Sequence, residues 1–341
     1  MGLEPEGLLR FFEFLLNHFL SPARSVRMRT VHSTRALAAI HVLALAVMSL
    51  AACSKSGNAP GDAGAGAATG SASAPAPTAA PTVPDGGALN ATPLPVEEVA
   101  KMVNPSKLPV YTGPTGSIEG TITIEGDPAP ETPANFSECP GAAKIWGHAF
   151  REGEKGPNGA RALQDAVVVV TGYKGFVPEK EEAEPVVIDG CGYEKRTVTL
   201  TFGQRLEISN RTKEYWTPML EPGSNLVMMM APPKGDPVKI YPKKPGHWLV
   251  IDHDRPYAVV DVYAFLHPLH ASTDAAGHFR IDGIPVGKLK VGAMHPRVNS
   301  NAETEVDIRE NVVQKVDLVL HNDMKDGGVR TYDAGSRPIL R

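Results

Sequence analysis

Ser117-Ile118-Glu119-Gly120-Thr121-Ile122-Thr123-Ile124 sets apolar against polar side chains in alternation, the period of a strand with one face buried and the other wet. Outward from it come further short β-rich runs separated by Gly, Pro and Asp. Ala166 to Val170 is fully apolar and β-branched; Val186 to Ile188, Thr197 to Phe202, Arg205 to Ile208, Val238 to Tyr241, Trp248 to Ile251 and Ala258 to Phe265 follow. His278 to Ile281, Lys288 to Ala293, Ala302 to Ile308 and Val312 to Leu320 complete the series. Spacing of this regularity predicts an all-β chain and a β-sandwich over residues 115–322. The runs 303–308 and 312–318 flank Arg309-Glu310-Asn311, the pattern of a hairpin with one wet face. No helix longer than two turns is needed in this region, and residues 323–341 read as a polar tail.

The chain has 341 residues, a formal net charge of −4 and 21% charged residues. Neither value suggests a nucleic-acid binder, and no basic stripe with interleaved aromatics is present. Residues 28–52 have the three parts of an export signal. Arg29 and Arg35 form a positive start, Ala36 to Leu50 an apolar run too short for a span of about 20 residues, and Leu50-Ala51-Ala52-Cys53 the end. That end resembles the bacterial lipobox, which implies that Cys53 takes the lipid and begins the mature chain. The alternative is a buried apolar helix with an incidental cysteine. Ser54 after the cysteine implies, by the same resemblance, the outer membrane. Residues 1–27 fit an amphipathic helix but make an unusually long preface, so a start at Met28 is expected and the segment is set aside. Residues 53–95 are mostly Ala, Gly, Ser, Pro and Thr; they have little to bury and are expected to be a disordered tether. Val96 to Val103 is expected to form one short helix before Pro105.

With Cys53 lipidated, Cys139 and Cys191 remain of the three cysteines. An even pair in an oxidising compartment points to a disulfide rather than two free thiols, and neither has a zinc-type partner spacing.

Two resemblances extend this reading. The opening strands 117–123 and 165–169, with the closing stretch 273–291 (Thr273-Asp274-Ala275-Ala276-Gly277-His278-Phe279-Arg280-Ile281 and on through Pro285-Val286-Gly287), resemble carboxypeptidase regulatory-like domains. The motif is one of turns: Asp274 and Gly277 shape a tight hairpin, while Phe279 and Ile281 point inward. It implies a sandwich fold and little about activity. Between these pieces, Gly190-Cys191-Gly192-Tyr193, then 202–210 (Phe-Gly-Gln-Arg-Leu-Glu-Ile-Ser-Asn), Lys244-Pro245-Gly246 and Asp252 to Pro256 resemble cupredoxin-like proteins of bacterial periplasms. The expected architecture is therefore an outer sandwich (115–175 and 266–322) with a cupredoxin-like sandwich (176–265) inserted or fused within it.

In cupredoxins, a His after the first of these strands and a later Cys…His-Pro…Met loop hold copper. The resemblance places those positions near Trp216, Asp252, Arg255 and Ala258. None supplies the family's ligand, so a scaffold without a blue-copper site, and no cofactor, is expected.

Other candidates were weighed for chemistry. His247 and His253, with Asp252 and Asp254, are imidazole and carboxylate donors without a recognised metal spacing. Met228 and Met230 offer thioethers to Cu(I), or simply fill a flexible surface. Trp216 and Trp248 could form a sugar-stacking platform, or pack in a core. His267, His270, His278 and His295 add to a His-dense C-terminal half. No nucleophile elbow, His-Glu-x-x-His or phosphate loop occurs, and no catalytic residue is named. The expectation is a non-catalytic, lipid-anchored cell-envelope protein with a binding or structural role, facing the periplasm or cell surface. Its partners would be the membrane, through the lipid, and an envelope protein or glycan. A carbohydrate-binding module and a copper-binding protein using His and Met are the alternatives.

Overall fold

In the computed structural model, residues 91–221 and 229–323 are described. Cys53, residues 28–52 expected as an export signal, most of the expected tether, Met228 and nearly all of the expected polar tail lie outside them.

The opening alternation forms β1 (Thr115–Gly126), whose side chains point by turns into a core and out of it. Ile118, Ile122 and Ile124 are fully buried. β1 pairs antiparallel with β2 (Arg161–Ala162) and β13 (His278–Pro285), and parallel with β16 (Val313–Lys315) and then β17 (Leu318–Asn322). A second sheet has the order β12 (His270–Ser272), β3 (Val167–Thr171), β14 (Gly287–Met294), β15 (Asn301–Ile308). The two sheets share one core, with Val168 and Val170 of β3 and Leu289 and Val291 of β14 packed against the β1 isoleucines.

After Thr171 the chain leaves this outer sandwich, and it returns at His270. Between those points lies a second, inner sandwich. One sheet is β6 (Thr197–Thr201), β11 (Val259–Phe265), β10 (Gly246–Asp252), β8 (Pro218–Glu221); the other is β5 (Gly192–Tyr193), β4 (Ala183–Asp189), β7 (Arg205–Asn210), β9 (Val238–Ile240). Its core holds Ile188, Leu200, Leu206, Ile208, Val250, Val260 and Val262. β3 explains how the two sandwiches meet. It is apolar from Val167 to Val170 because both of its faces are covered there. Val168 and Val170 face the outer core, while Val167 and Val169 pack on Tyr263 and Phe265 of β11. The chain is mostly β, in four sheets.

The short helix α1 (Val96–Val103) forms where the sequence places it. A larger departure lies between β1 and β2. A 3-10 turn (Pro140–Ala142) and the one-turn helix α2 (Ala143–Trp146) carry Phe136, Ala142, Ile145 and Trp146 across to the inner core. Part of the 115–175 stretch therefore packs with the inner sandwich. The excursion is fixed by a Cys139–Cys191 disulfide spanning 52 residues, with Cα atoms 5.7 Å apart. It is also fixed by a bond from Trp146 Nε1 to the Val259 carbonyl at 3.2 Å. The Trp146 ring sits so close over Gly192 that a Cβ there would lie 2.2 Å from Cη2.

The hairpin expected around Arg309-Glu310-Asn311 is not formed. β15 pairs with β14, and the chain then crosses to the other sheet, where β16 and β17 run parallel to β1. Alternation specifies which face of a strand is buried, not which strand is its neighbour. The single run expected over 312–320 is also split in two. Val316 turns in over Gly120, where a Cβ would lie 1.7 Å from the Val316 carbonyl oxygen. There Val316 N donates to Glu119 O, and Asp317 accepts from Thr121 N.

Candidate functional site

The positions at which the cupredoxin resemblance puts metal ligands are gathered at one end of the inner sandwich. Asp252 ends β10, Trp216 precedes β8, and the loop to β11 carries Arg255 and Ala258. Trp216 is 1% exposed and Ala258 fully buried. The Asp252 side chain is sealed from solvent and accepts from three backbone amides: Thr217 at 2.7 Å, Arg255 at 2.9 Å and Asp254 at 3.1 Å. Arg255 lays its guanidinium 4.1 Å from the centre of the Trp216 ring. It reaches Glu214 Oε2 at 2.6 Å, Asp252 Oδ1 at 3.5 Å and the Tyr215 carbonyl at 3.2 Å.

A copper ion does not fit this set. Indole nitrogen is a donor only and offers no lone pair. The Trp216 Nε1 and the Tyr193 hydroxyl beside it are both buried without a hydrogen-bond partner. Asp252 is committed to backbone amides, and a fixed guanidinium occupies the space where a second cation would sit. Burial and the nearby Asp252 carboxylate push the Tyr193 hydroxyl far above its ordinary range, so it stays a neutral phenol. Among the described residues both cysteines are in the disulfide, which leaves no thiolate for a Cu–S bond. The arrangement is a lock: a cation–π contact over a charge held by backbone donors.

The remaining candidates are scattered. His247 and His253 lie six residues apart, at and just past the opposite ends of β10, roughly 20 Å at the rise of a strand. His247 Nε2 lies 2.8 Å from Asp261 Oδ1, its ring stacked on Tyr263. Burial alone would raise the Asp261 carboxyl, but Arg297, His247 and Arg196 together hold it below its ordinary value. His253 is exposed and pairs only with Asp254 at 2.9 Å; this bond lowers the Asp254 carboxyl. Met230 is exposed, while Met229 packs on the inner core. Among the described residues no group of three or more His, Cys, Asp or Glu is placed to hold a metal ion.

Of the two places open to Trp216 and Trp248, a stacking platform or a core, both occupy a core. Trp216 is covered by Arg255, and Trp248 is 8% exposed with its Nε1 donating to the Lys244 carbonyl at 2.9 Å. Neither indole presents a free face for stacking, because both are part of the inner core.

One cluster escaped the sequence reading. The two crossings between the sandwiches, 172–182 outward and 266–269 back, meet around His267 of the return crossing and His270, the first residue of β12. Tyr173 of the outward crossing stands edge-on to His267 at 5.7 Å. Glu179 of the same crossing accepts from the Thr201 hydroxyl at 2.6 Å, and Thr201 Oγ1 lies 3.3 Å from His270 Nε2. Burial pushes His267 from 6.5 down to about 4; burial and the neighbouring His267 push His270 to about 3. Nearby, burial takes His295 to about 3. Arg196 donates to the carbonyls of Ile145, His148 and Ala149, tying the excursion down. The only sequence signal for this cluster is His267-Pro268-Leu269-His270 directly after the apolar strand β11, and histidine spacing alone does not say that two crossings converge there.

No protein-family model matches the chain, and no curated protein does. Solved structures of amicyanin do. The amicyanin from Paracoccus versutus (Thiobacillus versutus) is 16% identical over 25% of this chain and 84% of its own, with a TM-score of 0.23. A reduced-state amicyanin mutant gives 16% identity over 24% of this chain and 81% of its own, TM-score 0.22. A reduced Cu(I) form at pH 4 of another mutant gives 14% over 28% and 97%, TM-score 0.23. The similarity is confined to about a quarter of this chain, and scores of this size carry no argument about activity.

Proposed function

We propose that this chain is a non-catalytic, lipid-anchored cell-envelope protein with a binding or structural role. In this reading Cys53 carries the lipid, and a carboxypeptidase regulatory-like sandwich carries a cupredoxin-like one that has no blue-copper site. The observation that supports it most is the Arg255–Trp216–Asp252 lock. Electron transfer through blue copper needs a thiolate and an open imidazole, and those positions hold a cation, a donor-only ring and a carboxylate saturated by backbone amides. The Cys139–Cys191 disulfide supports an oxidising compartment outside the cytoplasm. No helix among the described residues is long and apolar enough to cross a membrane; attachment in this reading is through the lipid.

The test is expression of the full chain in a Gram-negative host, followed by membrane fractionation and mass spectrometry of the mature N-terminus. The reading expects a chain beginning at an acylated Cys53, found with the membranes and released to the soluble fraction by Cys53→Ser. A chain that remains in the membrane after that substitution, or whose mature N-terminus lies elsewhere, would remove the lipoprotein reading.

A further inference from the structure

We propose that the two crossings between the sandwiches form an acid-sensitive latch, in which protonation of His267 and His270 releases the crossings into water while both sandwiches stay folded.

The geometry points there in three steps. First, the apolar part of the seam is small: Val167 and Val169 on one side, Tyr263 and Phe265 on the other, with Met294 at the edge. Second, the crossings are joined by histidines. His270 stacks on Phe265 at 4.9 Å, and His267 packs edge-on to Tyr173 and accepts from Leu269 N at its Nδ1. Third, the hydrogen-bond order fixes the protons. Thr201 has one hydroxyl hydrogen, and the 2.6 Å contact gives it to Glu179, so Thr201 Oγ1 accepts from His270 Nε2–H. His270 Nδ1 is then a bare lone pair, buried without a partner. A proton arriving there finds no acceptor and no direct carboxylate.

The titratable groups facing the pair are few. Tyr173, on the outward crossing, stays neutral, because burial pushes its hydroxyl up. Glu179 stands one hydroxyl away from His270, behind Thr201 of β6. The two histidines stand three residues apart in sequence, and charge on His267 disfavours charge on His270. Two adjacent imidazolium ions in this pocket are therefore costly, and swinging the crossings into water relieves them. The disulfide and the Arg196 clamp hold the excursion on the inner core, and Arg297 pairs with Asp261 of β11 at 3.2 Å between the sandwiches, which limits the release to the crossings.

Trp146, Trp216 and Trp248 all lie in the inner core, so intrinsic fluorescence reports that sandwich and not the seam. The experiment follows amide hydrogen exchange and tryptophan emission of the full mature chain as pH falls from 6.5 to about 4. The expected result is loss of protection in 172–182, 266–269 and β12, beyond the intrinsic pH dependence of exchange, with tryptophan emission unchanged. In the double variant His267→Asn, His270→Gln, which keeps an acceptor and a donor in place, protection persists to lower pH. The proposal is overturned if the wild-type crossings keep their protection through this range, or lose it only together with the tryptophan signal. It is equally overturned if a folded double variant opens at the wild-type pH; should that variant fail to fold, the wild-type comparison decides alone.

Discussion

Arg255 and Trp216 close the end of the inner sandwich through one stacked contact. Guanidinium over indole is an attractive contact of about 1–2 kcal/mol when partly desolvated, and the same guanidinium neutralises a carboxylate that is cut off from water. Arg255→Ala removes both and leaves Asp252 with its amide donors only. We predict a loss of about 1–3 kcal/mol, read as a lower denaturant midpoint, with a change in Trp216 emission as its covered face meets water. The residues of this pocket were legible in the sequence because the resemblance supplied the positions. What they do to one another was not. Nothing in a linear order says that Arg255 folds back over Trp216 or that Asp252 is saturated by amides.

Strands with clear alternation or a continuous apolar run, such as β1, β3 and β11, were legible at close to their observed bounds. The elements missed were β2, β5, β8 and β12, each of four residues or fewer, too short to establish a period. Pairing was also hidden. The run after Asn311 carries the same alternation whether it turns back on β15 or crosses to β1. The excursion that ends in α2 has no periodicity, and only its cysteine hinted at its destination. Closing a loop of 52 residues is worth about 4 kcal/mol in the chain-entropy model. Reduction, or Cys139→Ser with Cys191→Ser, is expected to lower stability by up to that amount. Trp146 loses its fixed place over Gly192 first, which urea titrations with and without reductant would show as a smaller midpoint and a red-shifted emission.

At the scale of the whole molecule, the outer and inner sandwiches meet through β3 and β11, and the join between them holds one buried imidazole, His295, and two half-buried ones, His267 and His270, all held neutral. In the unfolded chain these take up protons near 6.5; in the fold they do so only at about 4 or 3. The unfolded state therefore binds more protons across that interval, and stability present above 6.5 is lost as the pH falls through it. Each imidazole contributes up to about 1.4 kcal/mol per pH unit. Unfolding midpoints measured between neutral pH and pH about 4 should fall more steeply for the wild type than for His270→Gln. The sequence pointed to an outer fold interrupted by an inner one; it did not point to the histidine join, because that is made by two crossings about 90 residues apart in sequence.

If the Arg255–Trp216–Asp252 lock stands where a cupredoxin holds its metal, the inner sandwich binds no copper. The direct measurement is copper content: the mature chain, made in an oxidising periplasm, is loaded with copper, desalted, and assayed for metal per chain and for thiolate–copper absorption. The account predicts no retained copper and no such absorption. Near-stoichiometric retention, abolished by His253→Ala or by Met228→Ala with Met230→Ala, would contradict it and make this a metal-handling protein.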